Sequence, residues 1–300
     1  MPPTHPFGPV LALLYSATFW GLVWYPLRLL EQAGMSGPWQ TLVSYGAAAL
    51  VFLPFVRGGV ARDHRKGLMM LALAAGWANV AFVLAMLDGT VVRVLLLFYL
   101  SPLWATLLAR WLLGEPLNRV TLATLPVGLG GAVLMLWDPA LASPWPSDLA
   151  DWTALSSGMA FALTNVLTRR LQDVGVRIKT LSTWLGVVAV ALVVIVWRQD
   201  PLPTVSALAW SGAVTLGVSG FLFSTLLVVY GVTHMPAQRS AVIMLFEILV
   251  GALSAWWLAA EALEWREWVG GALILAAGLV AAIRQGGTET DSGVRRGSEA

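Results

Sequence analysis

Residues 239–263 read RSAVIMLFEILVGALSAWWLAAEAL, a long apolar stretch with one carboxylate, Glu247, near its middle. Moved back by 146 positions, it falls on residues 93–117, RVLLLFYLSPLWATLLARWLLGEPL. Arg93 and Arg239, Trp111 and Trp257, and Glu115 and Glu261 then coincide, as do Leu103 and Leu249, Leu107 and Leu253, Ala109 and Ala255, and Leu117 and Leu263. Leucine and alanine matches come cheaply in so apolar a chain. Arginine, tryptophan and glutamate at one fixed offset do not, so the chain reads as two related halves.

The 300 residues are 58% hydrophobic and 11% charged, against about 25% charged in an ordinary soluble domain. That composition makes the chain an all-α, polytopic membrane protein. The absence of cysteine excludes disulfides, thiol catalysis and cysteine metal sites, and His5, His64 and His234 are too scattered to suggest a metal cluster. An isoelectric point of about 9.2 would point to nucleic acid only if the cations formed a patch on a folded surface. Here they sit in short loops between apolar runs. The N-terminal MPPTHPFGP has no basic region, and the apolar run after it is too long for a cleaved leader, so a retained spanning helix is expected.

A spanning helix needs about 20 mostly apolar residues. Ten segments qualify, at about 9–30, 36–56, 67–87, 91–113, 120–137, 152–171, 178–197, 208–232, 238–260 and 266–284. Lysine and arginine in the short loops set the orientation. With the N-terminus inside, fourteen cations lie on the cytoplasmic side, leaving Arg28, Arg93, Arg198 and Arg266 outside. The loop DPALASPWPSDLAD between the fifth and sixth helices has three aspartates and no cation, whereas the loops before the third and seventh helices are the most basic. Both termini are thus expected in the cytoplasm.

Five helices per half is an odd number, so the second half enters the membrane from the opposite side, and the repeats are inverted. The expected organisation is residues 1–143 as the first repeat, 144–284 as the second, and 285–300 as a disordered cytoplasmic tail. Inverted repeats recur in secondary transporters, where two similar halves facing opposite ways frame a site near the midplane.

Several residues carry a family resemblance at this point. Trp20-Gly21 in helix 1, Ser101-Pro102 in helix 4, and Gly114-Glu115 and Ala260-Glu261 closing helices 4 and 9 resemble the drug/metabolite transporter superfamily in its EamA-type branch. The resemblance runs from about residue 8 to 284, and within the branch it is greatest to bacterial exporters of aromatic amino acids. It implies export of amino acids or similar small amphipathic metabolites across the inner membrane, with helices 1, 3, 4, 6, 8 and 9 around a central cavity. One departure is that Pro102 corresponds to Ile248, where family members often keep a proline, so a backbone break is expected in only one half.

Glu247 lies about nine residues into its helix, roughly 13 Å deep at 1.5 Å per residue. A carboxylate there marks a functional position facing the bundle, one that contacts a substrate amino group or carries a coupling proton. The alternative is a structural glutamate hydrogen-bonded to a neighbouring helix. Ser101 occupies the equivalent place in the first half. Beside it Pro102 removes a backbone donor and frees the carbonyl of Phe98, which either lines a cavity or simply kinks the helix for packing. Asn79 and Asn165 can each donate and accept, so each suits an amino acid backbone, and each equally suits helix-to-helix bonding.

Eleven of the sixteen tryptophans fall near helix ends and read as interfacial anchors. Trp20, Trp24, Trp77, Trp104 and Trp184 lie deeper, with Phe82, Tyr99, Phe161, Phe223 and Tyr230. Of these, Trp20, Tyr99, Phe161 and Phe223 are the cavity candidates, because they sit nearest mid-span on helices that line the cavity in the family. Arg93, Glu115, Arg239 and Glu261 sit at helix ends, where such charges snorkel or pair, for example Glu115 with Arg119 and Glu261 with Arg266. Their symmetric placement also suits a gate.

No metalloprotease, nucleophile-elbow or P-loop signature is present. The reading is a secondary transporter, not an enzyme, with no cofactor and no metal. Its partners are a small-molecule substrate and the lipid bilayer, with no nucleic acid; an oligomer is compatible but not required. The alternatives are a multidrug or nucleotide-sugar carrier of the same superfamily and, from another class, a membrane-embedded enzyme acting on lipid. A phosphate-bearing substrate would call for a mid-span lysine or arginine, and the sequence has none.

Overall fold

The computed structural model describes residues 8–57, 59, 61–114, 119–137, 146, 148–234, 243–244, 246–261, 264–266, 268–277 and 279–280. Among these every regular element is helical. The chain runs through α1 (Gly8–Leu22), α2 (Trp24–Gln32), α3 (Gly37–Phe52), α4 (Arg65–Asp88), α5 (Val91–Phe98), α6 (Ser101–Leu113), α7 (Arg119–Leu136), α8 (Leu149–Arg170), α9 (Val176–Arg198) and α10 (Ala207–Thr215). A π-helical segment, Leu216–Leu222, leads into α11 (Phe223–Thr233), and α12 (Phe246–Ala259) and a helix at Trp268–Ala277 follow. Each of the ten apolar segments read from the sequence overlaps one or two of these helices. Among the described residues, five continuous stretches are long and apolar enough to cross a membrane: Gly8–Gln32, Arg62–Asp88, Val91–Leu113, Val176–Arg198 and Ala207–Gly231.

The helices gather into two compact units. One holds Met1–Gly21, Pro116–Trp145 and Ser224–Ala300, and the other Leu22–Glu115 and Pro146–Phe223, so each draws on both halves of the sequence.

In the second unit α4 packs against α8 and α9, α3 against α9 and the π segment, and α5 and α6 against α8. Lipid is as apolar as leucine, so close packing must come from small residues and hydrogen bonds. A Cβ on Gly186 would stand 2.0 Å from the carbonyl oxygen of Ala72, which means α9 and α4 touch backbone to backbone. Between α8 and α4, the Ser157 hydroxyl donates to the Ala78 carbonyl at 2.6 Å and the Trp77 indole to Ser156 at 3.2 Å. Leu68 and Leu71 close this seam against Leu167 and Leu171. Asp148 starts α8 by accepting from the backbone N–H of Asp151 at 2.9 Å, an N-cap that satisfies one orphan donor.

In the first unit the same devices recur. Ser16 of α1 donates to the carbonyls of Ala12 at 2.9 Å and of Ser224, at the start of α11, at 3.1 Å. A Cβ on Gly21 would lie 2.5 Å from the carbonyl oxygen of Glu247, so α1 meets α12 backbone to backbone.

Candidate functional site

The segment that carries Ser101 is broken. Pro102 has no N–H to give, and α5 closes instead through Tyr99 N–H to Leu95 O at 2.9 Å and Leu100 N–H to Leu97 O at 3.2 Å. Helix α6 then opens with Pro102 in its first turn, and the N–H groups of Leu103 and Trp104 both turn back to the Leu100 carbonyl, at 3.0 and 3.3 Å. At the break, α8 presents Gly158, whose Cβ would lie 2.8 Å from the Phe98 carbonyl. The kink is thus also a packing point. Ser101 is 7% exposed, and its hydroxyl makes no hydrogen bond among the described residues. One turn on, the indole N–H of Trp104 is buried and has no acceptor among the described residues.

Around the break the aromatic side chains gather. Phe98 lies edge-on to Phe82 at 5.1 Å, tilted against Phe161 at 5.1 Å, and edge-on to Tyr99 at 6.1 Å. Phe161 is 39% exposed and so offers a free face, as does Trp77 on α4. Asn165, four residues beyond Phe161 on α8, is exposed and has no hydrogen-bond partner among the described residues. Phe223 is exposed at the start of α11.

Asn79 is engaged elsewhere. Its Oδ1 accepts from the Tyr45 hydroxyl, and its Nδ2 donates to the Ala75 carbonyl at 2.8 Å. Tyr45 is buried and stacks on Phe221 of the π segment, with centroids 4.6 Å apart. The sequence marked Asn79 but missed Tyr45, because a tyrosine in an apolar run gives no sign of where its hydroxyl ends.

Arg93 grips Asp151 with two bonds, Nε to Oδ1 at 2.7 Å and Nη2 to Oδ2 at 2.8 Å, with Asp151 almost wholly buried. The paired fork is the strong form of an ion pair. Asp151 was also unselected in the sequence, although the cation-free acidic loop before helix 6 held the clue.

In the first unit Glu247 is buried at the start of α12, and Trp20 lies edge-on to Phe19 at 5.4 Å. Arg266 pairs with Glu264 and donates to the Trp137 carbonyl at 2.7 Å, where the sequence pointed to Glu261. Ala260 takes a left-handed φ of 53°, which turns the chain before Glu261. Glu115, Arg239, the side chain of Arg119 and the tail at 285–300 lie outside the described residues.

The sequence pattern of the EamA-like transporter family matches residues 7–137 and again residues 148–283. The chain belongs to the EamA-like transporter family. Among its relatives, an uncharacterized transporter of Archaeoglobus fulgidus is 30% identical over 77% of this chain and 82% of its own. A riboflavin transporter of Rhizobium johnstonii is 29% identical over 85% of this chain and 83% of its own. A crystal structure of another protein superposes with a TM-score of 0.57 at 18% identity, over 92% of this chain and 97% of that one, which shows a shared fold.

Proposed function

We propose that this EamA-like transporter exports amino acids, aromatic ones included, or similar small amphipathic metabolites across the inner membrane by alternating access. Two inverted five-helix repeats, with both termini in the cytoplasm, would supply the two gates. The observation that carries the reading is the family pattern appearing twice, once on each half of the chain.

Hydrogen bonds support the alternating path. Arg28 donates to the Gly89 carbonyl at 2.8 Å, Arg93 pairs with Asp151, and Arg177 donates to the Phe55 carbonyl at 3.2 Å. Each of these bonds joins two segments that the ten-span reading puts on one side of the membrane. The rings of Phe82, Phe98, Tyr99 and Phe161 favour a substrate with a flat apolar face. Glu247 is the candidate for a substrate amino group or a coupling proton, and Arg93 with Asp151 is the candidate gate.

A second reading, a flavin-sized heteroaromatic substrate, is favoured by the riboflavin transporter among the relatives. Counterflow in proteoliposomes separates the two. Uptake of labelled phenylalanine driven by internal tryptophan supports the amino acid reading, and uptake driven only by internal riboflavin supports the second.

A further inference from the structure

We propose that the start of α6 is an acceptor-binding subsite, in which Ser101 and Trp104 donate hydrogen bonds to the carboxylate of an aromatic amino acid. The proposal deepens the amino acid reading and rests on it.

Three observations converge on this spot. Helix α6 is 13 residues long and begins at the break in the span, so the positive end of its dipole lies within the apolar stretch and not at a loop. Ser101, at its first position, is 93% buried, and neither its hydroxyl nor its backbone N–H has a partner among the described residues. Trp104 is three positions further on, and its indole N–H is buried without an acceptor among the described residues. Helical side chains lean towards the N-terminus, so the Trp104 ring lies over the Ser101 turn, and the two side chains share one face.

Polar donors in an apolar interior are normally satisfied, because each unmade bond is costly there. In this unit Ser44 donates to Ala213 O at 2.8 Å and Ser157 to Ala78 O at 2.6 Å, whereas the indole N–H groups of Trp39 and Trp104 are buried with no acceptor among the described residues. Of these two, Trp104 lies at the start of α6, beside the unbonded Ser101 hydroxyl. What Ser101 and Trp104 lack is an acceptor, and a carboxylate oxygen at the positive end of a helix is the fitting one. Phe98, Tyr99 and Phe161 at the same break supply ring contacts for a flat side chain. Sequence reasoning had singled out Ser101; Trp104 is added by its unfilled N–H.

The test is competition with labelled L-phenylalanine in proteoliposome counterflow, using L-tryptophan and L-tryptophanamide as competitors. The amide keeps the ring and amine but replaces the carboxylate. In the wild-type protein tryptophan should compete at least about tenfold better than the amide. In Ser101→Ala and Trp104→Phe its potency should fall about tenfold, the size of one charge-assisted bond, while the amide is unchanged. The retained amide competition shows that each variant is folded. Equal losses for both competitors, or no loss for either, would overturn the subsite. No counterflow in the wild-type protein would overturn the amino acid reading and the subsite with it, before any variant is made.

Discussion

The segments at 93–113 and 246–259 align in sequence at an offset of 146 residues, and they differ at the aligned position 101/247. In the first, Pro102 divides the span into α5 and α6, and beyond it the indole N–H of Trp104 is buried with no acceptor among the described residues. In the second, α12 begins at Phe246, and the position 146 residues on from Ser101 holds the buried carboxylate Glu247. A glycine from another helix presses on a carbonyl in each, Gly158 of α8 on Phe98 and Gly21 of α1 on Glu247. In the proposed ten-helix arrangement, these contacts would join the first helix of each half to the fourth helix of the other half. Close packing is shared by the two segments, whereas the polar chemistry has diverged, with donors in one and a carboxylate in the other.

The largest effect is expected where the broken segment is anchored. Asp151→Ala removes the buried carboxylate that Arg93 grips and should cost about 3–5 kcal/mol, read as a fall in thermal stability in detergent. Adding Arg93→Ala should recover part of that loss; strict additivity would show that the pair is not coupled. Gly158→Ala and Gly21→Ala place a methyl against backbone and should each cost about 1–3 kcal/mol by overpacking. If only one of them does, the packing is not shared by the two segments as described.

A smaller and more specific effect is expected at the carboxylate. With Glu247 as the proton carrier, Glu247→Gln should leave counterflow intact but flatten the pH dependence of net uptake, while Ser101→Ala should leave that dependence alone; loss of counterflow in Glu247→Gln would instead favour the amino-group contact. Identical pH profiles for wild type and Glu247→Gln would remove the proton-carrier role. The smallest change should come from Tyr45→Phe, which unmakes the bond to Asn79 and should cost about 0.5–1.5 kcal/mol without shifting substrate preference. A changed preference there would mean that Asn79 reads substrate after all.

The fold was legible in the sequence to the extent that apolar run length governs it. Each run contains a helix, because a chain in lipid must satisfy its backbone internally. The break at Pro102 was legible too, since a missing N–H is a property of the residue. Partner choice was not. Arg266 meets Glu264 two residues away, and Asn79 meets Tyr45 across the contact between α3 and α4. The second depends on how helices pack, which spacing along one helix does not encode. The π segment at Leu216–Leu222 was also hidden. There a Cβ on Gly217 would lie 2.0 Å from the Ser44 carbonyl, and Phe221 stacks on Tyr45, so the backbone departs from the α pattern where α3 presses on it.

Counterflow of labelled L-phenylalanine into proteoliposomes of the purified protein, preloaded with L-tryptophan, tests the central claim most directly. The account predicts a transient accumulation of label above its external concentration that is absent from protein-free vesicles. A trace that matches protein-free vesicles would contradict it.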